Sequence, residues 1–134
     1  MIRPTRLIAP LAIAALSTVA LAAPSGSVAA SAKTCKLSGS AAQKLGPAYV
    51  TYTSGKGGYR VTGVSCASGK KIIKAFHSCR YKHGKSGKCT SKVRGYSCTE
   101  KRPSSLKSAF SFEGNVTCKA GSKRITHHYL QNLD

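Results

Sequence analysis

The chain has 134 residues, and its 22 Lys and Arg against 3 Asp and Glu give a formal charge of +19 at pH 7. This length allows about one domain and excludes a multidomain enzyme. With 41% hydrophobic residues, 19% charged residues and six cysteines, neither a disordered polar tail nor a coiled coil fits, and a small disulfide-stapled domain is indicated.

The N-terminal residues have the order of a secretory signal peptide. Arg3 and Arg6 precede an apolar run over residues 7–23, and small residues follow it. The run is shorter than the roughly 20 apolar residues that a membrane-spanning helix needs. We therefore expect a secreted protein, with a signal peptide at residues 1–30 that is cleaved between 22 and 32. A flexible N-terminal segment is expected at 31–47 and a single small domain at 48–134.

The cysteines predict a disulfide framework. An even number of cysteines in an exported chain is typical of paired thiols, so three bridges are expected. The pair Cys79 and Cys89 is the firmest, because the end of a predicted helix and a short loop bring the two residues together. The other pairings remain open at this point; the remaining cysteines are Cys35, Cys66, Cys98 and Cys118.

The first predicted elements after the N-terminal segment are a β-hairpin and a helix. Residues 48–53 and 59–65 are rich in Tyr, Val and Thr and flank a glycine-rich stretch, which predicts an N-terminal β-hairpin. Ser65 is a favourable N-cap for a helix that begins near Cys66 and ends before Gly84. Its apolar positions recur at helical spacing, and the basic residues, among which we count His77 and Arg80, are expected on the other side. The apolar positions are Ile72, Ile73, Phe76 and Cys79.

Three strands are predicted in the C-terminal half. Residues 93–101, 110–118 and 122–130 alternate between apolar and polar side chains, and residues 120–122 are short enough for a tight turn. The predicted fold class is therefore α+β. One amphipathic helix packs on a small antiparallel sheet, stapled by disulfides and preceded by the N-terminal hairpin.

Four stretches of the sequence carry a resemblance to a protein family. They are residues 64–71, the helix that ends in Cys79 with Cys89 shortly after it, residues 95–98 and residues 116–122. Over residues 63–129 the chain resembles small secreted cysteine-containing proteins of high-GC actinobacteria. The resemblance implies export, this fold and disulfide bridges, and it implies no catalytic activity.

The strongest functional signal is a cluster of basic residues between positions 70 and 92. Such a cluster attracts polyanions with a salt-sensitive affinity, and its high lysine content favours diffuse binding over sequence-specific recognition. We predict a monomeric, non-catalytic protein without cofactor or metal. Its expected partner is a cell-wall phosphate polymer, a nucleic acid or an anionic membrane; alternatively, the charge serves solubility alone. The predicted polyanion-binding residues are Lys70, Lys71, Lys74, Arg80, Lys82, Lys85, Lys88 and Lys92.

Two other functions remain open from the sequence. A secreted ribonuclease-like hydrolase would use one histidine as base and another as acid, chosen from His77, His83, His127 and His128. The carboxylates that could orient them are Glu100, Glu113 and Asp134. A protease inhibitor would offer Lys85 or Lys88 from the loop between Cys79 and Cys89 to a trypsin-like pocket.

Overall fold

A computed structural model describes residues 30–45, 49–53 and 56–134. The predicted signal peptide, apart from its last residue, lies outside the described residues. The strands are β1 (Lys33–Cys35), β2 (Tyr49–Thr53), β3 (Lys56–Gly57), β4 (Tyr59–Thr62), β5 (Ser97–Lys101), β6 (Ser111–Ala120) and β7 (Lys123–Asn132). The helices are α1 (Gly39–Gln43) and α2 (Cys66–Tyr81), with a 3-10 turn at Ser104–Leu106. One main helix on an antiparallel sheet confirms the predicted α+β class.

The sheet is built around the long hairpin of β6 and β7. These strands pair over ten residues, from Ser111 opposite Asn132 to Ala120 opposite Lys123. Gly121 has a φ of +57° in the turn between them, a conformation that glycine adopts without steric cost. In the described part of the chain, β5 pairs with the free edge of β6, and all strand pairings are antiparallel.

The N-terminal hairpin is formed by β2 and β3, and the predicted pairing of residues 48–53 with residues 59–65 is not found among the described residues. β4 pairs with β1 and β7, and it is connected to β2 in the sheet through β7. This arrangement is possible because β7 is ten residues long, so that one of its edges pairs with both strands. Its residues 124–126 pair with β4, and its residues 128–130 pair with β2.

The segment expected to be flexible instead contains β1 and α1. Cys35, Ala42 and Leu45 from this segment are buried in the core. Ser38 caps α1, since its side chain accepts a hydrogen bond from the backbone N–H of Ala41. Because β1 also pairs with β4, residues 33–45 belong to the folded domain.

Helix α2 covers one face of the sheet. It begins after Ser65, whose side-chain oxygen accepts a hydrogen bond of 3.1 Å from the backbone N–H of Ser68, as the capping pattern predicts. Ile72, Ile73 and Phe76 of the helix are buried in one cluster with apolar residues of β4, β6 and β7. The opposite face of the sheet carries exposed side chains on β5, β6 and β7. The helix therefore leaves the protein with one covered and one open sheet face.

Three disulfides join these elements. Cys35–Cys66 ties β1 to the start of α2, and Cys98–Cys118 joins residues that face each other on β5 and β6. Cys79–Cys89 links the last turn of α2 to the following loop, which confirms the firmest predicted pair. Three bridges are compatible with a secreted, disulfide-bonded protein.

Candidate polyanion-binding surface

The outer side of α2 carries three of the predicted binding residues. Lys70, Lys71 and Lys74 are exposed, on the side of the helix that faces away from the sheet. Lys71 and Lys74 line a shallow depression of about 230 Å³ together with Arg94 from the loop before β5. The structure thus adds Arg94, which lies just beyond the basic cluster that the sequence pattern picked out, to the cationic side of the helix.

The loop after α2 carries four more lysines. Lys82, Lys85, Lys88 and Lys92 are all exposed. We call these four, together with Lys70, Lys71 and Lys74, the lysine surface. The structure describes no salt bridge for any of its seven members.

Two arginines hold the backbone of this loop. Arg80 Nη1 donates a hydrogen bond of 2.6 Å to the carbonyl oxygen of Lys85. Arg102 donates from Nη1 to the carbonyl of Ser86 and from Nη2 to the carbonyl of Gly87, both at 2.6 Å. Together with the Cys79–Cys89 bridge, these bonds fix the main chain from which the lysine side chains reach solvent.

Arg80 was wrongly predicted to be one of the polyanion-binding residues. Its side chain is 0% exposed, so it cannot contact an external polymer. The buried guanidinium is satisfied by hydrogen bonds to Gln131 Oε1 at 2.6 Å and to the loop, and it lies 4.8 Å from the ring centre of Tyr129. Arg80 therefore positions the loop from inside the protein.

Two of the three acidic residues of the chain have partners outside the lysine surface. Glu100 is buried beside Arg102, with 2.6 Å between Oε1 and Nε, and Glu113 lies 2.6 Å from His128. Asp134, at the C-terminus, accepts a hydrogen bond from Lys85 through its backbone carbonyl. Apart from Lys85, which contacts the main chain of Asp134, the lysines between positions 70 and 92 therefore have no acidic partner among the described residues.

The structure brings together two of the four candidate catalytic histidines. His77 and His127 are buried, with 3.1 Å between their Nε2 atoms. Burial, reinforced by the neighbouring ring and by Arg80, holds the pKa of His77 well below its ordinary value. Burial, with His128 and Arg80 nearby, lowers the pKa of His127 to about 3. His83 is exposed in the loop and His128 contacts Glu113, so neither joins this pair.

A buried polar network surrounds the histidine pair, and sequence reasoning missed it. The Tyr129 hydroxyl donates to Glu100 Oε1, and burial together with this bond raises the pKa of Tyr129. The Tyr81 hydroxyl and Arg80 both donate to Gln131 Oε1. Helical spacing carried a signal for this network, because Ile73, Phe76, His77 and Arg80 follow the i, i+3, i+4, i+7 pattern of one buried face.

Among the described residues, no group of three or more His, Cys, Asp or Glu side chains is arranged to hold a metal ion. Within the same part of the chain, every helix is too short or too polar to cross a lipid bilayer.

The chain was also compared with known proteins. No protein-family model, no curated protein sequence and no solved structure matches it. Its function must therefore be argued from its own residues.

Proposed function

We propose that this protein is a secreted, non-catalytic, monomeric domain that binds anionic polymers or surfaces of the cell envelope or extracellular space. The observation that carries the proposal is the lysine surface. Seven lysines on α2 and the following loop are exposed, and the described acidic side chains do not pair with them.

The chemistry of the surface favours a polyanion as partner. A polymer of negative charges keeps condensed counterions, and lysines that replace those counterions gain free energy from their release. Ammonium groups act as hydrated point charges without the planar geometry of guanidinium, so they favour contact with a charged backbone over recognition of particular bases. The fixed loop presents its lysines on a preformed surface, which lowers the entropy lost on binding.

The other two functions find less support in the geometry. His77 and His127, the two histidines that lie together, are buried and neutral, so an RNA chain cannot reach them. The loop between Cys79 and Cys89 runs through turns, with the Gly87 N–H bonded to the Gly84 carbonyl at 3.0 Å. An inhibitory loop would need extended backbone that is free to pair with the protease, whereas the arginines occupy the carbonyls of residues 85–87.

The proposal is tested by reversing charge on the lysine surface. The triple variant Lys70→Glu, Lys71→Glu and Lys74→Glu should weaken binding to heparin and to duplex DNA at low salt by about tenfold or more, because it removes three phosphate or sulfate contacts. Isothermal titration calorimetry on the purified, disulfide-bonded protein measures the dissociation constant.

A control variant distinguishes the effect of where the charge is changed from the effect of how much the net charge changes. Lys36→Glu, Lys44→Glu and Lys107→Glu change the net charge by the same amount at exposed positions outside α2 and its loop. We expect this variant to lose clearly less affinity than the first. Equal losses in the two variants, or no binding of either polymer by the unmodified protein, would contradict the proposal.

A further inference from the structure

The open face of the sheet carries a second cationic surface, distinct from the lysine surface. It lies on the side opposite α2 and contains a shallow depression of about 370 Å³. We call it the open sheet face. The residues that line the depression are Thr99, Lys101, Asn115, Thr117, Lys119 and Arg124.

Strand register orders these side chains into rows. Thr99 of β5 lies opposite Thr117 of β6, and Thr117 lies opposite Thr126 of β7, so three hydroxyl-bearing residues stand side by side. Neighbouring strands are about 4.8 Å apart, which makes this row roughly 10 Å long.

Cationic side chains flank the threonine row on both sides. Lys119 lies opposite Arg124 in the next row towards the β6–β7 turn, and Lys101 lies opposite Asn115 in the row on the other side. Along one strand, these rows are about 7 Å from the threonine row. Arg124 also lines an adjoining depression of about 320 Å³, which extends the surface towards β4.

This alternation of charge and hydroxyl points to one class of ligand. We propose that the open sheet face binds a phosphodiester-linked polyol chain, in which phosphates alternate with hydroxyl-bearing spacers. The inference rests on the proposed binding of anionic polymers and names the polymer class and a second place of contact. Lys101, Lys119 and Arg124 pair with phosphates, while threonine hydroxyls donate to and accept from the spacers.

The lining of the depression disfavours a single-stranded nucleic acid as the occupant. Proteins that bind single strands without sequence preference stack the bases on aromatic side chains. None of the six lining residues is aromatic. A polyol phosphate needs no stacking partner, since hydrogen bonds and charge supply its contacts.

The inference is tested with a variant that removes hydroxyls and leaves the charge unchanged. Thr99→Val and Thr117→Val keep β-branched side chains on exposed or half-exposed strand positions, so the sheet is retained. The double variant should bind poly(glycerol phosphate) about tenfold more weakly, because each lost hydroxyl removes hydrogen bonds to the spacer. Its affinity for heparin should change by less than about twofold, because charge dominates that contact.

Ser104→Ala with Ser105→Ala serves as the control, since it removes two exposed hydroxyls from the 3-10 turn. Its affinity for poly(glycerol phosphate) should stay unchanged. In addition, amide resonances of Thr99, Thr117 and Arg124 should shift when poly(glycerol phosphate) is added to the ¹⁵N-labelled protein, which reports contact directly and does not depend on the folding of a variant.

The outcomes separate this inference from the proposed function. The inference would be overturned if Thr99→Val/Thr117→Val bound poly(glycerol phosphate) as tightly as the unmodified protein does. It would also be overturned if the amide shifts were confined to the lysine surface, or if the open sheet face bound poly(dT) more tightly than poly(glycerol phosphate). The proposed function would survive those results if charge reversal on α2 still weakened binding to heparin. Failure to bind heparin or any other polyanion would overturn both.

Discussion

His77 and His127 form a buried hydrogen bond whose proton positions follow from their neighbours. Arg80 Nε can only donate, so His77 Nδ1, 3.4 Å away, accepts from it. Neutral His77 then carries its proton on Nε2 and donates to His127 Nε2. His127 must therefore carry its own proton on Nδ1, an atom that has no hydrogen-bond partner in the described structure. Long-range ¹H–¹⁵N correlation spectra should show these two opposite tautomers.

The same pair predicts how stability depends on pH. Each folded-state pKa lies below the ordinary histidine value of 6.5, so on acidification the unfolded chain takes up protons before the folded protein does. The two neutral histidines therefore make their full contribution to the free energy of unfolding above about pH 6.5, and this contribution is lost as the pH falls towards about 3. Urea titrations over this range should give a free energy of unfolding that drops by up to about 1.4 kcal/mol per pH unit for each histidine.

The double variant His77→Leu and His127→Leu removes the two groups whose titration makes the free energy of unfolding depend on pH. Its unfolding free energy should vary less with pH between about 6.5 and 4 than that of the unmodified protein. The same slope in both proteins would contradict the assignment, and so would tautomer spectra that show a charged imidazolium on either ring at pH 5.

The close approach of α2 to β4 depends on Gly69. A Cβ at this position would lie 2.7 Å from Val61 Cγ1 and 2.9 Å from Tyr59 Cε2, which is closer than packed carbon atoms lie. Glycine in a helix costs roughly 1 kcal/mol relative to alanine, so propensity alone favours replacing it. The close contact with β4 explains why the helix carries a glycine here.

We therefore expect Gly69→Ala to destabilise the protein despite the better helix propensity. Overpacking against the buried Tyr59 and Val61 should lower the free energy of unfolding by about 1–3 kcal/mol. Ser78→Ala, at an exposed position of the same helix, is the control and should be neutral or slightly stabilising. A more stable Gly69→Ala protein in chemical denaturation would show that the helix can move away from β4 at little cost.

Local patterns predicted the elements well, because their signals lie within a few residues. The N-cap at Ser65, the end of α2 before Gly84 and the Cys79–Cys89 bridge all follow from neighbouring positions. The partners of β2 and β4 could not be predicted in this way, since they depend on the edge of β7, more than 60 residues further along the chain. The Cys98–Cys118 pairing likewise follows from the register of β5 and β6.

The candidate site was predicted less completely than the fold. Charge alone placed Arg80 among the exposed basic residues, although it lies on the same buried face of α2 as Ile73 and Phe76. The seven lysines were assigned to the surface correctly, because a lysine is rarely buried without a partner. The open sheet face escaped sequence reasoning, since its cations come from three strands whose register is set by tertiary pairing.

The buried residues and the surface residues carry their charges in different environments. In the core, Arg80 is balanced by carbonyls, an amide and aromatic rings, and Glu100 is held by Arg102 and Tyr129. On the surface, the lysines of α2 and its loop form no ion pair with an acidic side chain of the described residues. The disulfides hold this strongly charged chain together, since they oppose the repulsion among like charges. We propose that this surface charge binds a polyanion by displacing its counterions.

Counterion displacement makes the affinity for a polyanion depend on salt concentration. The dissociation constant for a fluorescent heparin oligosaccharide is measured by anisotropy between about 50 and 200 mM salt. The logarithm of the affinity should fall linearly with the logarithm of the salt concentration, and the Lys70→Glu, Lys71→Glu and Lys74→Glu variant should give a clearly shallower slope. An affinity that does not change with salt, or the same slope for both proteins, would contradict the account.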